Sequence, residues 1–324
     1  MKPLLDKLIH TFGVTGREDA VRDVIEKRIE ELGLETSTDN MGNVVVTLSE
    51  GKDTEKYMVS ANMDTAGLIV NFIEDNGYLR VHPIGTFNDL EVANGLVVFQ
   101  NGVVGRCCLT KKDGTINDMY VDIGASSKEE ALALVKEGEV AAFKGESITQ
   151  GKFIMAPNLT NRAACYVLLQ VIEDLVNEDK LKDIKKNVTV AFTTQSYLRL
   201  KGAKALTHTV RPDRALVIDT EEALDTLGGN GTLKLGKGLG LRVMDGNLII
   251  HHEMKEELQS LTDGKLINIV STKSSDGGML QKEGKGAKVG VIAIPCRYPN
   301  TSQEVMSEDD IEMAKGLVEN FILK

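Results

Sequence analysis

Apolar residues near the start of the chain recur with a helical period. After residue 18 they return every three to four positions, so Val21, Ile25 and Ile29 fall on one face of an amphipathic helix. Thr15 and Glu18 stand ahead of this helix at the spacing of a capping box. The pattern therefore predicts one capped helix close to the amino terminus.

The pattern changes in the middle of the chain, between residues 68 and 154. Short apolar runs are separated there by turn signals such as Asp75-Asn76-Gly77 and Asn101-Gly102, which are typical of antiparallel strands joined by tight turns. One helical stretch, 127–137, interrupts the strands. This segment is therefore predicted to be an all-β insert.

Strand and helix patterns alternate in the rest of the chain. Apolar runs predict strands at 43–48, 56–61, 188–194, 215–219, 267–272 and 289–294. Helical periodicity predicts helices at 162–176, 202–208, 253–263 and 307–323. Strands that alternate with helices predict an α/β sheet covered by helices on both faces. We therefore expect a discontinuous α/β domain, residues 1–67 and 155–324, interrupted by a β insert at 68–154.

Composition and charge narrow the function classes. The chain has 324 residues, of which 42% are hydrophobic and 27% charged, as expected of a folded globular protein. Its net charge of −10 argues against binding of nucleic acid, which needs clustered Lys and Arg. No long apolar run or basic amphipathic stretch indicates a membrane, and no signal peptide is evident. We therefore expect a cytoplasmic protein.

Four segments combine a strand-like run with polar residues at its end. They are 59–70, 156–165, 194–203 and 217–219 with 294–305, and they contain Asn62-Met63-Asp64, Thr160-Asn161-Arg162, Gln195-Ser196-Tyr197, Asp219 and Arg297-Tyr298-Pro299-Asn300. In this order the segments resemble the motifs of the M42 family of dinuclear-metal aminopeptidases, which includes glutamyl aminopeptidases. The resemblance covers nearly the whole chain. It implies a zinc-exopeptidase-like (phosphorylase/hydrolase-like) α/β sheet with an inserted all-β lid and oligomerisation domain.

The resemblance also implies which positions would hold the metals. Asn62 and Asn300 stand where the family has histidine ligands, and Tyr197 stands at a glutamate ligand. Thr160 stands where an aspartate bridges both ions. Asp219 is the only one of the five ligands that is retained.

Four further positions carry implied catalytic or substrate roles. Asp64 retains the aspartate that orients the first histidine ligand, and Ser196 replaces the glutamate that acts as general base. Asp276 and Arg297 match motifs near the substrate pocket. Without the histidine to orient, Asp64 is expected to accept a hydrogen bond from Asn62.

The chemistry of these replacements argues against a tight metal site. Two zinc ions need imidazole and carboxylate ligands with a carboxylate shared between them, whereas amides and hydroxyls are neutral. Ser196 cannot take a proton from water near neutral pH, and it has no motif-placed partner that would make it a nucleophile. Asp219 could hold one weakly bound ion or be a satisfied carboxylate at a strand end.

The sequence thus predicts a noncatalytic M42-like protein without cofactor that binds peptides or small molecules. It would be a homo-oligomer, a dodecamer by resemblance, and could assemble with an active paralogue. The alternative is an active aminopeptidase that releases N-terminal residues and holds two Zn or Co ions per chain. A metal-independent hydrolase ranks last, because the sequence shows no assembled triad.

Overall fold

The computed structural model describes residues 2–51 and 55–324. In these residues the helices are α1 Pro3–His10, α2 Asp19–Glu31, α3 Asp89–Val92, α4 Lys128–Leu134, α5 Leu159–Asn177, α6 Lys201–Thr209, α7 His252–Ser260, α8 Asp276–Lys282 and α9 Glu308–Leu323. The strands of the same residues are β1 Ser37–Thr38, β2 Val44–Glu50, β3 Lys56–Asn62, β4 Gly67–Ile73, β5 Leu79–Ile84, β6 Leu96–Phe99, β7 Val104–Leu109, β8 Met119–Asp122, β9 Val140–Lys144, β10 Ile148–Gln150, β11 Phe153–Ala156, β12 Asn187–Thr193, β13 Arg214–Glu222, β14 Gly240–Met244, β15 Ile267–Val270, β16 Lys288–Cys296 and β17 Glu304–Ser307.

The larger sheet is mostly parallel at its centre. Its order over the described residues is β1-β2-β12-β3-β13-β16-β14-β15, with β12, β3, β13 and β16 parallel to one another. These central strands are almost wholly buried, as expected of strands covered on both faces. Helices α5 and α9 belong to the core on one face, and α6 and α8 to the core on the other. The predicted α/β sheet covered by helices is confirmed.

The inserted β structure closes on itself. Strands β4-β5-β8-β7-β6-β9 form a barrel of six antiparallel strands within the described part of the chain, around its own apolar core. The barrel strands run from Gly67 to Lys144. Strands β10 and β11 instead pair with each other and with β17 near the carboxyl terminus. The predicted inserted all-β fold is confirmed, whereas its boundaries at residues 68 and 154 stay a prediction.

The predicted capping box at the start of α2 is wrong. The Thr15 hydroxyl donates to Asp64 Oδ2 at 2.8 Å, and Glu18 Oε1 accepts from the backbone N–H of Gln195 at 2.9 Å. Helix α2 begins without a side-chain cap. An unpaired buried carboxylate costs more free energy than an uncapped helix end that water can reach. The Thr15 hydroxyl therefore binds Asp64 and does not cap α2.

None of the helices in residues 2–51 and 55–324 is long and apolar enough to cross a membrane. The helices are instead amphipathic or buried against the sheet. In α5, for example, fourteen residues are buried, because this helix lies between the sheet and α9. The core therefore anchors the amino end of α5, where the residues discussed next are found.

Candidate functional site

A cavity of about 670 Å³ lies at the carboxyl ends of the parallel strands. This is the edge of an open α/β sheet where ligands commonly bind. Strands β3, β13 and β14, the segments that follow β12 and β16, and the amino ends of α5 and α8 deliver side chains to it. It brings together most of the predicted site residues, namely Asn62, Thr160, Ser196, Tyr197, Asp219, Asp276 and Asn300.

Asp64 lies fully buried behind the cavity wall. Its Oδ1 accepts a hydrogen bond from Asn62 Nδ2 at 2.8 Å, and its Oδ2 accepts from the Tyr197 backbone N–H at 3.2 Å and from the Thr15 hydroxyl. Burial raises the pKa of Asp64, and these donors oppose the rise. The contact with Asn62 is the one expected from the sequence, so this carboxylate supports an amide where the family has a histidine.

Asp219, the retained carboxylate, has both oxygens engaged. Oδ1 accepts from Asn161 Nδ2 and from the Thr220 backbone N–H, each at 2.7 Å. Oδ2 accepts from the Arg242 guanidinium at 2.6 Å. Arg242 is only 1% exposed and also donates to Glu221 at 3.0 Å. The strand-end carboxylate is therefore paired with a buried cation.

Arg242 was missed by the sequence reasoning. It lies in β14 within the run Leu239-Gly240-Leu241-Arg242-Val243, where the neighbouring leucines are buried. An arginine inside a buried strand requires carboxylate partners, because an unpaired charge in the interior is very costly. This pattern is a signal for a buried ion pair, but it does not identify which carboxylate is the partner.

The Thr160 and Asn300 positions are joined by one buried carboxylate, Glu304. Its oxygens accept from the backbone N–H groups of Thr160 and Asn300, each at 2.6 Å, and burial raises its pKa to about 8. The Tyr197 hydroxyl donates to Asn300 Oδ1 at 2.6 Å, while Asn300 Nδ2 donates to the carbonyl of Thr86 at 2.8 Å. The polar groups of Thr160, Tyr197 and Asn300 therefore have hydrogen-bond partners within the protein.

The Tyr197 side chain is a neutral phenol in this arrangement. Loss of solvent around it raises the pKa of Tyr197 well above its ordinary value, and the nearby carboxylates raise it further. A phenol binds a transition metal only after it loses its proton. Tyr197 therefore keeps its proton in this arrangement and uses it in the hydrogen bond to Asn300.

Ser196 and Asp276 form a second hydrogen-bonded pair in the cavity. The Ser196 hydroxyl donates to Asp276 Oδ1 at 2.8 Å, and the Thr193 hydroxyl donates to Oδ2 at 2.5 Å. Asp276 is 5% exposed, and burial raises its pKa to about 7. No histidine or lysine bonds Ser196 among the described residues, so the hydroxyl has no base of the kind used in serine hydrolases.

The donor set does not suit two zinc or cobalt ions. In the described residues, no three His, Cys, Asp or Glu side chains are grouped so that they could hold a metal ion. The five predicted ligand positions supply two amides, one aliphatic hydroxyl, one neutral phenol and one carboxylate that is already bound to a guanidinium. Zinc and cobalt prefer imidazole, thiolate and free carboxylate.

Arg297 lies away from these side chains. Its guanidinium donates to both oxygens of Asp225, at 2.7 and 2.8 Å. Arg297 is not one of the described residues that line the cavity. Its assignment to a substrate pocket stays a prediction.

Comparisons with known proteins agree with the fold. A profile of the family described as M42 glutamyl aminopeptidase matches residues 42–317. A candidate aminopeptidase of Acetivibrio thermocellus is 33% identical over 328 residues, which cover 98% of the chain and 97% of that protein.

Two solved structures are also similar along their length. The aminopeptidase APDkam598 from the archaeon Desulfurococcus kamchatkensis has a TM-score of 0.91 and 30% identity, covering 99% of this chain and 94% of that one. The TET1 peptidase of Pyrococcus horikoshii, which can assemble into a tetrahedron or a large octahedral shell, has a TM-score of 0.87 and 29% identity. That match covers 99% of this chain and 98% of the peptidase.

Proposed function

The chain belongs to the M42 peptidase family, as its motifs predicted, and we propose that it is a noncatalytic member that retains a ligand cavity but not the two metal ions. The observation that carries the proposal is the pairing of Asp219 with Arg242 at 2.6 Å. A metal ion at Oδ2 of Asp219 would have to displace the guanidinium, and one at Oδ1 would have to compete with Asn161. Both are held by further hydrogen bonds, which opposes that exchange.

The missing general base supports the same proposal. Metal-assisted peptide hydrolysis needs a group that accepts a proton from the attacking water. Ser196 stands at the predicted position of this base, and its hydroxyl donates a hydrogen bond to Asp276 instead of accepting a proton. The parts of a catalytic site act as a unit, so loss of both the ions and the base removes the activity rather than reducing it.

The test is an activity assay on the purified chain. Aminoacyl p-nitroanilides, the glutamyl one included, should release no nitroaniline above the blank with Co²⁺ or Zn²⁺ added. An M42 aminopeptidase with intact ligands, assayed in parallel, is the positive control. Metal-dependent release that is abolished by a chelator would overturn the proposal in favour of the active aminopeptidase.

We further propose that the chain forms a homo-oligomer. Support comes from the likeness to the TET1 peptidase, which assembles into closed shells, and from the retained β barrel. Light scattering after gel filtration should give a mass near that of twelve 35.3 kDa chains. A mass of one chain at all concentrations would contradict this, and co-purification with an active paralogue would indicate a mixed shell.

A further inference from the structure

The charges around the cavity favour one kind of ligand. Among the described residues, the acidic side chains that line the cavity are Asp219 and Asp276, and the basic ones are Arg199, Arg242 and Lys273. An enzyme that binds a peptide amino terminus would need a carboxylate with free oxygens to accept from the ammonium. The acidic or basic side chains that have no partner within the protein therefore decide whether a cationic or an anionic ligand group is favoured.

Neither carboxyl group is free. Asp219 accepts from Arg242, Asn161 and the Thr220 backbone N–H. Asp276 accepts from two hydroxyls and is nine-tenths buried or more. An incoming ammonium group would have to share oxygens that already accept from these donors, so the cavity offers it little.

Two of the cations, in contrast, lack a counter-ion. Within the described ranges, no hydrogen bond or ion pair joins the side chain of Lys273 or Arg199 to a carboxylate, whereas Arg242 is fully paired. Lys273 is half-buried and Arg199 is exposed at the rim. They lie on different loops, after β15 and after β12, and both border the same space.

Lys273 lies within the run 272–276, all of whose residues line the cavity. The Lys273 backbone is fixed by hydrogen bonds to Ser271 and Gly246.

We propose that the cavity binds a ligand carboxylate through Lys273 and Arg199, and not a peptide amino terminus. The cavity volume of about 670 Å³ suits a ligand of dipeptide size or a small organic acid. The neutral amides and hydroxyls on the opposite wall would bond its uncharged polar groups. The inference rests on the proposed function, because a bound metal ion would itself attract a carboxylate.

Calorimetric titration with matched ligands tests this inference. N-acetyl-dialanine and succinate carry carboxylates, N-acetyl-dialanine amide carries no charge, and alaninamide carries only an amine. We expect an acid to bind at least roughly tenfold more tightly than the amide, since charge-assisted hydrogen bonds are the stronger ones. Tighter binding of succinate would indicate a free organic acid, and tighter binding of the peptide would indicate a peptide carboxyl terminus. Equal affinity for acid and amide, or preference for alaninamide, would overturn the inference.

Variants show whether the named cations are responsible. Lys273→Met should weaken binding of the acid roughly tenfold or more while leaving the amide unchanged, Lys273→Arg should retain binding, and Arg199→Met should give a smaller loss. Lys112→Met removes an exposed lysine on a barrel turn and is the matched control. Circular dichroism confirms that each variant is folded. Unchanged acid binding in both the Lys273→Met and Arg199→Met variants would contradict the assignment.

A neutral chelator separates this inference from the proposed function. The titration is repeated with 1,10-phenanthroline, which carries no carboxylate and cannot compete as one. Acid binding should be unaffected. If chelation abolishes it, the carboxylate was bound to a metal ion, and both proposals fail. If chelation has no effect and acid and amide bind alike, only the carboxylate inference fails.

Discussion

The two carboxyl groups of the cavity are kept in the interior by different means. Asp219 faces the Arg242 guanidinium at 2.6 Å, so it is balanced by a full positive charge. Asp276 accepts hydrogen bonds from the hydroxyls of Thr193 and Ser196, and burial raises its pKa to about 7. One side of the cavity is therefore neutralised by an ion pair and the other by partial uptake of a proton.

This difference is consistent with the proposal that the cavity holds no dications. Carboxylates brought together without metals repel one another and are costly to bury. Here a built-in cation offsets one side, and neutral donors with a raised pKa offset the other. Substitutions on the two sides should therefore have different consequences for stability.

Replacing Arg242 with methionine should be the most damaging change. It would leave Asp219 and Glu221 buried without a cation, since side-chain exposures of 16% and 15% leave both little access to water. Breaking a buried pair in this way costs about 3–5 kcal/mol. Urea denaturation should show a loss of about this size in the free energy of unfolding.

Two controls sharpen this first result. Arg80→Met breaks an exposed pair with Glu74 and should cost less than about 1 kcal/mol. Adding Asp219→Asn to Arg242→Met should recover part of the loss, because it removes one of the stranded charges. Equal losses for Arg242→Met and Arg80→Met would show that the ion pair contributes little.

The Asp276 side should make stability depend on pH. Its folded pKa of about 7 lies above that of the unfolded chain, so between about pH 4 and 7 the folded state holds a proton that the unfolded state has released. The free energy of unfolding should therefore fall as pH rises through this window. Asp276 contributes at most about 4 kcal/mol to the fall, at about 1.4 kcal/mol per pH unit. Glu304, with a pKa of about 8, should extend the decline by a further unit.

Asp276→Asn should remove its own share of this dependence. Unfolding curves measured from pH 4 to pH 9 should show a shallower decline for the variant than for the unchanged chain. Asp113→Asn, at an exposed barrel turn, is the matched replacement and should leave the slope unchanged. An identical slope for Asp276→Asn would mean that Asp276 does not retain its proton in the folded state.

Ser196→Ala should give the smallest effect. It removes one of two hydroxyl donors to Asp276, which costs about 1 kcal/mol and raises the pKa of Asp276 further. A double-mutant cycle with Asp276→Asn measures the coupling directly. A coupling energy of zero would show that the hydrogen bond contributes nothing to stability.

Much of this fold could be predicted from hydrophobic pattern and motifs. Antiparallel strands occur in the segment where the sequence predicts them, because apolar runs separated by Asn-Gly turns leave little freedom of register. Short elements such as β14 and β17 were missed, since four or five residues carry little periodic signal. Helix α1 was missed because its 8 residues make only about two helical turns and carry little periodic signal.

The sequence predicted which residues lie at the site but not which of them form hydrogen bonds or ion pairs with one another. Motif order placed Asn62, Thr160 and Asp219 together, because the parallel strands end at one edge. The role of Arg242 was not foreseen, since sequence distance does not reveal which carboxylate a buried arginine faces. The capping-box interpretation of Thr15 failed for a similar reason, as its partner Asp64 lies 49 residues away.

Under the proposed function, the Arg242 guanidinium supplies the positive charge beside Asp219 that metal ions would otherwise supply. Equilibrium dialysis of the purified chain against Zn²⁺ and Co²⁺, followed by elemental analysis, measures whether metal ions can take that place. We expect well under one ion per chain with either metal. Two tightly held ions per chain would contradict the proposed function, because Asp219 would then have exchanged Arg242 for metal.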